Sequence, residues 1–240
     1  MAAHICLAIR STIFILLIMK ILAMIPAYKA ADTLGELVAK IERYIPRQDI
    51  LIVEDGSPDK TYQAAIATSA VVVRHEVNQG KGEALKTGFK YALENNYDGI
   101  ITIDADLQHD PNAIPEFIRI ASEQNADVII GTRPRNLANM PFERFLTNHL
   151  TSLIISCFSG RFVRDSQSGY RYHSRRALHT IKLNSSRYDT ESEFLFKSGR
   201  AGYKVWEIKV PTIYSGSESY INPFIDTGRF IRLMWKSIFW

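Results

Sequence analysis

The sequence predicts an α/β fold in which a mostly parallel, Rossmann-like central sheet is flanked by helices. Short apolar runs, which are typical of buried strands, alternate with stretches whose apolar residues recur at helical spacing. Such strands favour a parallel sheet with helices on both faces. Ligands of these sheets bind at the carboxyl ends of the strands, and several of the apolar runs end in polar residues. We therefore expect the functional site at this edge.

Five apolar runs and the helical stripes between them set the order of the elements. Strands are predicted at residues 21–25, 50–53, 71–74, 99–103 and 128–130. Helices are predicted at residues 34–45, about 58–68, 84–93 and 111–118, with Ser57 and Asp110 as N-caps of the second and the fourth. After residue 133 we predict an amphipathic helix at 142–158, a polar turn at 165–171, short helices from residues 175 and 190, and a strand near 205–210.

We divide the chain into three parts. Residues 1–19 form a hydrophobic extension that is interrupted by Arg10, is too short to span a membrane and is not followed by a small-residue cleavage site. Either Met19 is the functional start or the extension touches a membrane. Residues 20–215 form the folded domain. Residues 216–240 mix tryptophans, apolar residues and cations on a predicted amphipathic helix, which either lies in a membrane interface or caps the core.

Charge and cysteine content narrow the class of partner. The 240-residue chain has a formal net charge of +4 and a pI near 9.0, which suits a phosphorylated substrate or an anionic membrane surface. Nucleic acid is the least favoured partner, because the cations are dispersed and the sequence has no base-reading module. Cys6 and Cys157 give neither a disulfide framework nor a zinc-site spacing, which favours a reducing compartment.

The strongest chemical signal is a pair of carboxylates, Asp104 and Asp106, after the fourth apolar run. In extended backbone, residues two apart project to the same side, so we expect both side chains to leave the strand tip together. Paired carboxylates can hold Mg²⁺ or Mn²⁺, which in turn holds a diphosphate, and Gln108 could add a neutral oxygen. We expect His109 to make local hydrogen bonds instead. An exposed acidic turn is the alternative interpretation.

Three other strand exits carry weaker signals for a nucleotide. Tyr28 follows the first strand, where a ring could stack on a base, and Asp55 follows the second, where a carboxylate could accept hydrogen bonds from a base or ribose. Lys81 lies between two glycines at the start of a helix, where the chain can approach a phosphate closely. A surface aromatic, a turn aspartate and a solvated lysine are the respective alternatives.

Taken together, these motifs resemble family 2 glycosyltransferases, most closely the polyprenyl-phosphate (dolichyl-phosphate) mannosyl- and glucosyltransferase branch. The matching segments come in the family's order and are residues 25–28, 53–57, 78–82, 104–111, 131–133 and 165–171. The resemblance covers residues 20 to about 210. It implies a GT-A fold and inverting transfer of a hexose from a nucleoside-diphosphate sugar to a polyprenyl-phosphate lipid carrier, assisted by Mg²⁺ or Mn²⁺.

The resemblance also implies roles for individual residues. The positions that match nucleotide-bordering residues are Pro26, Tyr28 and Asp55, with Asp104 shared between nucleotide and metal. The positions that match metal-holding residues are Asp104, Asp106 and Gln108. Arg133 matches an arginine near the acceptor phosphate. The chain departs from the family at Lys29 and Ala30, where Asn and Glu are frequent, and this departure leaves the base preference open.

The expected acceptor decides which side chains are catalytic. We expect Asp106, through its metal, to neutralise the leaving group, and Arg133, with Arg144 or Arg171, to grip a lipid phosphate. A sugar hydroxyl would instead need a general base, for which Asp165 is preferred over Asp189 and Glu191.

Two alternative functions stay open at the level of sequence. One is transfer to a hydroxyl of a cell-surface glycan or glycolipid. The other is nucleotide-sugar binding without transfer. For the leading hypothesis we expect a cytoplasmic protein that is peripheral on the cytoplasmic face of the membrane.

Overall fold

The computed structural model describes residues 19–132, 156, 165–166, 168–185 and 189–211. The N-terminal extension up to residue 18, the C-terminal segment 216–240 and, apart from residue 156, the amphipathic helix predicted at 142–158 lie outside these residues. Among the helices of the described ranges, none has the length and apolar character needed to cross a membrane.

The described strands form a single seven-stranded sheet, which confirms the predicted mostly parallel α/β architecture. The strands are β1 (Ile21–Ala27), β2 (Ile50–Asp55), β3 (Val71–His75), β4 (Gly99–Thr102), β5 (Val128–Thr132), β6 (Arg171–Ser174) and β7 (Val205–Lys209). Their order in the sheet is β3-β2-β1-β4-β6-β5-β7. Strand β6 runs antiparallel to β4 and β5, and the other pairs are parallel.

Helices cover both faces of this sheet. They are α1 (Leu34–Ile41), α2 (Thr61–Ala67), α3 (Lys81–Glu94), α4 (Ile114–Glu123), α5 (Arg175–Thr180) and α6 (Asp189–Arg200). Alternate residues of β1 point into two separate cores: Ile25 packs with α1, α2 and α4, whereas Met24 packs with α3, α5 and α6. The period-2 alternation of a strand thus divides one apolar run between two buried layers.

The path of the chain places a topological switch point between β1 and β4 at one edge of the sheet. From β1 the chain builds outward through β2 and β3 on one side, and it then returns through α3 to β4 on the other side of β1. The connections that leave β1 and β4 therefore diverge at their carboxyl ends. Such a switch point is where open α/β sheets bind ligands.

Several predicted boundaries move in the structure. The helix after β1 ends at Ile41 and not near residue 45. The helix predicted to begin at Pro58 begins at Thr61, where the Asp59 carboxylate accepts hydrogen bonds from the Thr61 amide and hydroxyl. Asp110 does act as a cap, accepting a hydrogen bond from the Asn112 amide at the start of a 3₁₀ turn.

Strand β6 is the element that the sequence analysis missed. Its four residues, Arg-Tyr-His-Ser, continue a polar turn and carry no apolar alternation. They nevertheless occupy the middle of the sheet, with Arg171, Tyr172 and His173 buried. Burial lowers the pKa of His173 well below its usual range, so this ring is neutral in the core.

A buried carboxylate fastens β5 to the elements on either side of it. Asp127 accepts hydrogen bonds from Arg176 Nε (2.9 Å) and Nη2 (2.6 Å) on α5 and from the amide of Lys204 (2.9 Å) ahead of β7. Burial would raise the pKa of Asp127, but these hydrogen bonds outweigh it and hold the pKa below its usual value.

The first prediction concerns Asp127→Asn, which removes the charge and one acceptor oxygen. We expect the free energy of unfolding to fall by about 1–3 kcal/mol at neutral pH. Because the folded-state pKa is lowered, this stabilisation is present above the ordinary carboxyl pKa of about 3.9 and is lost as the pH falls towards the folded value. Urea unfolding of both proteins across the acid range should show their stabilities converging. A constant difference at every pH would contradict this account.

Candidate active site at the carboxyl edge of the sheet

A buried carboxylate at the end of β2 fixes the turn that leads into α3. Asp55 is 3% exposed, and its two oxygens accept hydrogen bonds from the amides of Gln79 (3.0 Å) and Gly80 (2.8 Å). Oδ1 also lies 2.7 Å from His75 Nδ1, and His75 Nε2 lies 2.9 Å from the Thr87 hydroxyl on α3. Asp55 thereby ties β2, β3 and α3 into one unit.

Two glycines allow this close packing of the turn on β2. Gly80 has φ +96° immediately before α3, a conformation that side chains rarely adopt. Gly56 has φ +63°, and a Cβ there would overlap with the backbone of Val77 and Asn78. The turn at residues 78–80 therefore lies directly against the end of β2.

The nucleotide-binding role of Asp55 stays a prediction. Both oxygens of its carboxylate already accept hydrogen bonds from the protein, so a base or ribose would have to share them. What the structure shows is a positioning role for Asp55, which the sequence pattern does not reveal because the partner amides are 24 and 25 residues away.

At the end of β1 an aromatic ring faces solvent. Strand β1 extends two residues beyond its predicted end and includes Pro26. Tyr28 follows and is 43% exposed, with Lys29 Nζ 5.5 Å from the centre of its ring. An exposed ring at this edge is available for stacking on a planar group. The predicted contacts of Pro26 and Tyr28 with a nucleotide remain predictions.

The first residue of α3 bridges two carboxylates. Lys81 Nζ lies 2.6 Å from Asp104 Oδ1 and 3.2 Å from Glu191 Oε1. The three side chains come from α3, from the segment after β4 and from α6. Glu191 is predicted from the sequence as a candidate base. Its pairing with Lys81 could not be predicted, because the two residues are 110 positions apart and no local pattern links them.

The bridge fixes the charge of two of its members. Burial alone would lower the pKa of Lys81, but the charges of Asp104 and Glu191 outweigh it and raise the pKa above its usual value. Burial would raise the pKa of Asp104, but Lys81 and His109 hold it well below its usual range. Near neutral pH Lys81 is therefore an ammonium and Asp104 a carboxylate, so neither exchanges a proton with a substrate.

Asp104 and Asp106 lie in a turn. Strand β4 ends at Thr102, the chain turns at Ala105 and Asp106, and Leu107 has φ +60°. Asp106 Oδ1 accepts a hydrogen bond from the Gln108 amide (3.0 Å), which closes the turn locally. The expectation of extended backbone from Asp104 to Asp106 is therefore wrong, because the chain turns at Ala105 and Asp106. The shared metal-holding role of the two carboxylates stays a prediction.

Behind Asp104 lies a buried aromatic wall. His109 is 3% exposed, its Nε2 lies 3.7 Å from Asp104 Oδ2, and its Nδ1 has no hydrogen-bond partner among the described residues. The Tyr170 ring packs against His109 and Phe117, with centroid distances of 5.3 and 4.5 Å. His109 thus faces the carboxylate at a distance longer than a hydrogen bond.

The second half of the chain closes over Asp104 through a glycine. Thr102 Oγ1 donates a hydrogen bond to the carbonyl oxygen of Gly169 (2.9 Å), which holds the segment before β6 against the end of β4. A Cβ on Gly169 would overlap with both carboxylate oxygens of Asp104. Residue 169 must therefore be glycine for the carboxylate to keep this position.

Arg171 departs from its predicted role as a contact for the acceptor phosphate. Its side chain is 1% exposed, and its Nε, Nη2 and Nη1 donate hydrogen bonds to the carbonyl oxygens of Ser168 (2.6 Å), Ser166 (2.6 Å) and Glu191 (2.7 Å). We correct the prediction, because a guanidinium that is buried and bound to three carbonyls fastens the turn before β6 to the start of α6.

The remaining predicted residues divide into two groups. Arg133 and Arg144 lie outside the described residues. Asp165, the preferred candidate base, is described and is 3% exposed, in the segment that Arg171 holds in place.

Comparison with known proteins identifies the family. The sequence model of the family described as "Glycosyl transferase family 2" matches residues 23–184. The chain belongs to this family.

Two relatives indicate the branch of the family to which this glycosyltransferase is similar. It is 31% identical to UDP-N-acetylglucosamine–dolichyl-phosphate N-acetylglucosaminyltransferase of Methanococcus voltae, over 80% of this chain and 85% of the relative. It is 29% identical to undecaprenyl-phosphate mannosyltransferase of Micrococcus luteus, over 80% and 83% of the two chains. These similarities support the predicted polyprenyl-phosphate glycosyltransferase branch.

The solved structure supports the GT-A architecture. Glucosyl-3-phosphoglycerate synthase of Mycobacterium tuberculosis, crystallised with Mn²⁺, UDP and phosphoglyceric acid, superposes with a TM-score of 0.74 at 18% identity. The match covers 96% of this chain and 81% of that one. At this level of identity the similarity bears on the fold alone.

The described residues of the glycosyltransferase fit a divalent cation of the Mg²⁺ type. Within the described ranges, no three His, Cys, Asp or Glu side chains group as a complete metal cage. Mg²⁺ sites in phosphate-transfer chemistry need no such cage, because one or two carboxylates and the substrate phosphates hold the ion. The oxygen donors of Asp104, Asp106 and Gln108 suit this arrangement, and Gly169 leaves the space that the Asp104 carboxylate occupies.

A second prediction tests the space at Gly169. In Gly169→Ala the new methyl group displaces the Asp104 carboxylate, so we expect turnover to fall by about 100-fold or more while the protein stays folded. Gly35→Ala is the matched control, since a Cβ at Gly35 on α1 meets nothing within 4 Å. We expect that variant to keep full activity. Rates of sugar transfer and thermal melts measure both effects, and wild-type turnover in Gly169→Ala would refute the role of this glycine.

Proposed function

We propose that this glycosyltransferase moves a hexose from a nucleoside-diphosphate sugar to a polyprenyl-phosphate carrier, with inversion at the anomeric carbon and with the help of Mg²⁺ or Mn²⁺. The observation that carries the proposal is the pairing of Lys81 with Asp104 at the switch point of the sheet. It sets an ammonium group beside a carboxylate that suits a divalent ion, where a diphosphate would bind.

The donor half of the proposal draws on the described side chains. Asp104 and Asp106 would hold the divalent ion, with Gln108 contributing a neutral oxygen. Lys81, which is an ammonium near neutral pH, is placed to contact an anionic oxygen of the diphosphate. Tyr28 offers an exposed ring for the base. The name of the Methanococcus voltae relative, a UDP-N-acetylglucosamine transferase, supports the class of donor.

In the proposed transfer one bond forms as another breaks. An acceptor oxygen attacks the anomeric carbon from the side opposite the diphosphate, and the bond from that carbon to the diphosphate oxygen breaks with its electron pair going to the leaving group. A bound divalent ion supplies Lewis-acid stabilisation of this negative charge. Lys81 adds a second positive charge, and the fixed position of α3 means that little reorganisation is required.

A phosphate acceptor would need no proton transfer from the protein. Phosphate monoesters have a second pKa of about 6, so a lipid phosphate is already ionised near neutral pH and needs positioning alone. The names of the two relatives, one acting on dolichyl phosphate and one on undecaprenyl phosphate, support the same class of acceptor.

The location proposed for the enzyme follows from that acceptor. A polyprenyl phosphate has its head group at a membrane surface, so we place the enzyme peripherally at the cytoplasmic face. The predicted phosphate contacts Arg133 and Arg144 would bind the lipid phosphate, and the segment 216–240, predicted to be amphipathic, would suit a membrane interface. The net charge of +4 suits an anionic surface.

A donor and acceptor screen tests the proposed function directly. The full chain is incubated with Mn²⁺ or Mg²⁺, a panel of UDP- and GDP-sugars and a short polyprenyl phosphate, and the products are separated as glycolipids. We expect one donor to give a polyprenyl-phosphate sugar in a metal-dependent reaction. The anomeric configuration of this product should be opposite to that of the donor. Tight nucleotide binding without any transfer would instead indicate a binding module.

A third prediction assigns the metal-holding role. Asp106→Ala should lose metal-dependent turnover while the thermal melt stays near that of the wild type, because Asp106 is half-buried and its hydrogen bond to the Gln108 amide lies within the same turn. Asp98→Ala is the control, since Asp98 accepts a hydrogen bond from the Lys20 amide at the opposite edge of the sheet. Full activity with unchanged metal dependence in Asp106→Ala would show that this residue does not hold the ion.

A fourth prediction separates phosphate from hydroxyl acceptors. If the acceptor is a lipid phosphate, Asp165→Asn should stay within about tenfold of wild-type turnover, because an ionised acceptor needs no general base. A hydroxyl acceptor would make the same change cost about 10²–10⁴-fold. Single-turnover rates at saturating donor measure the difference, and a circular dichroism melt confirms that the buried side chain has been replaced without unfolding.

A further inference from the structure

Glu191 is a buried carboxylate for which the proposed transfer has no use. It is 8% exposed, and its Oε1 makes no hydrogen bond to any described group. It lies 3.2 Å from Lys81 Nζ. This separation is longer than the 2.6 Å between Lys81 Nζ and Asp104 Oδ1, so the Coulomb attraction of Lys81 to Glu191 is the weaker of the two.

A divalent ion at Asp104 would change the balance of this bridge. In the described structure one ammonium serves two carboxylates, which leaves a formal charge of −1 on the three side chains. A divalent ion bound to Asp104 repels the ammonium that occupies the same carboxylate. Glu191 is then a second carboxylate within reach of Lys81. The ammonium of Lys81 can therefore move away from Asp104 and still be paired with a negative charge.

The lysine is the member of the bridge that is able to move. Arg171 Nη1 donates a hydrogen bond to the carbonyl oxygen of Glu191 (2.7 Å), which fixes that residue's backbone near the start of α6. Thr102 Oγ1 donates a hydrogen bond to the carbonyl oxygen of Gly169 (2.9 Å), which fixes the backbone on either side of Asp104. Lys81 reaches both carboxylates through a flexible four-carbon stem.

We propose that Lys81 is an exchangeable counter-ion of Asp104, and that Glu191 retains it when a divalent ion takes its place. Without donor, Lys81 neutralises Asp104. When the ion arrives, Lys81 pairs with Glu191 and stays beside the donor's diphosphate. The inference rests on the proposed function for the identity of that ligand, but the competition between Lys81 and the ion is a property of the protein alone.

The experiment measures Mn²⁺ binding to the full chain without donor, by the electron paramagnetic resonance signal of free Mn²⁺. Lys81→Met removes the competing charge, so we expect Mn²⁺ to bind about tenfold more tightly or better. Glu191→Gln removes the carboxylate that retains Lys81, so we expect binding several-fold weaker than in the wild type. Lys81→Arg keeps the charge and should bind like the wild type.

Lys86→Met is the matched control for loss of one positive charge. Lys86 also belongs to α3 and pairs with Glu83 at 2.8 Å on the same helix. We expect its Mn²⁺ affinity to equal that of the wild type, because its charge does not contact Asp104. Equal tightening in Lys86→Met and Lys81→Met would reduce the effect to net charge and overturn the proposal.

Two further outcomes keep this inference separate from the proposed function. Equal Mn²⁺ affinity in the wild type and Lys81→Met, or no binding by either, overturns the counter-ion exchange even if the enzyme makes glycolipid. The expected order of affinities, with Lys81→Met above wild type and wild type above Glu191→Gln, supports the exchange even if the screen finds no transfer.

Discussion

The site depends on one buried carboxylate, Asp55, at the carboxyl end of β2. Asp55 accepts hydrogen bonds from the amides of Gln79 and Gly80, and these bonds fix the position at which α3 begins. Because Lys81 is the first residue of that helix, the same two hydrogen bonds decide where its ammonium lies relative to Asp104. Loss of a charge-assisted hydrogen bond inside a protein leaves a costly unpaired group, so the geometry of this turn is strongly defined.

The groups that surround Asp104 come from distant parts of the chain. Lys81 comes from the helix before β4, whereas Gly169 and Glu191 belong to segments that follow β5. Arg171 fastens these later segments to one another through three carbonyl oxygens. The arginine that would have suited an anionic ligand by its sequence context thus supports the site from inside, and the burial of its guanidinium excludes the role that sequence suggested.

Sequence alone predicts the features that repeat locally. The alternation of apolar runs with helical stripes predicts the parallel strands and the apolar side of each helix. The polar residues at the ends of the strands predict that Asp55, Lys81 and Asp104 lie at one edge of the sheet. It does not predict β6, because a central strand with Arg171 and His173 buried has no apolar signature. Nor does it predict contacts such as Lys81 with Glu191, since long-range pairing follows from the fold and leaves no spacing to read.

Strand β6 has a consequence for how the protein can be divided. It lies in the sheet between β4 and β5, two strands that precede it in the chain. The backbones of β4 and β5 are therefore joined by hydrogen bonds only through β6, which comes later in the chain. A fragment that stops after β5 would leave both with open edges and unsatisfied backbone groups. The portion of the chain up to β5 is therefore not an autonomous module, and exchanging it between enzymes would require β6 to be transferred with it.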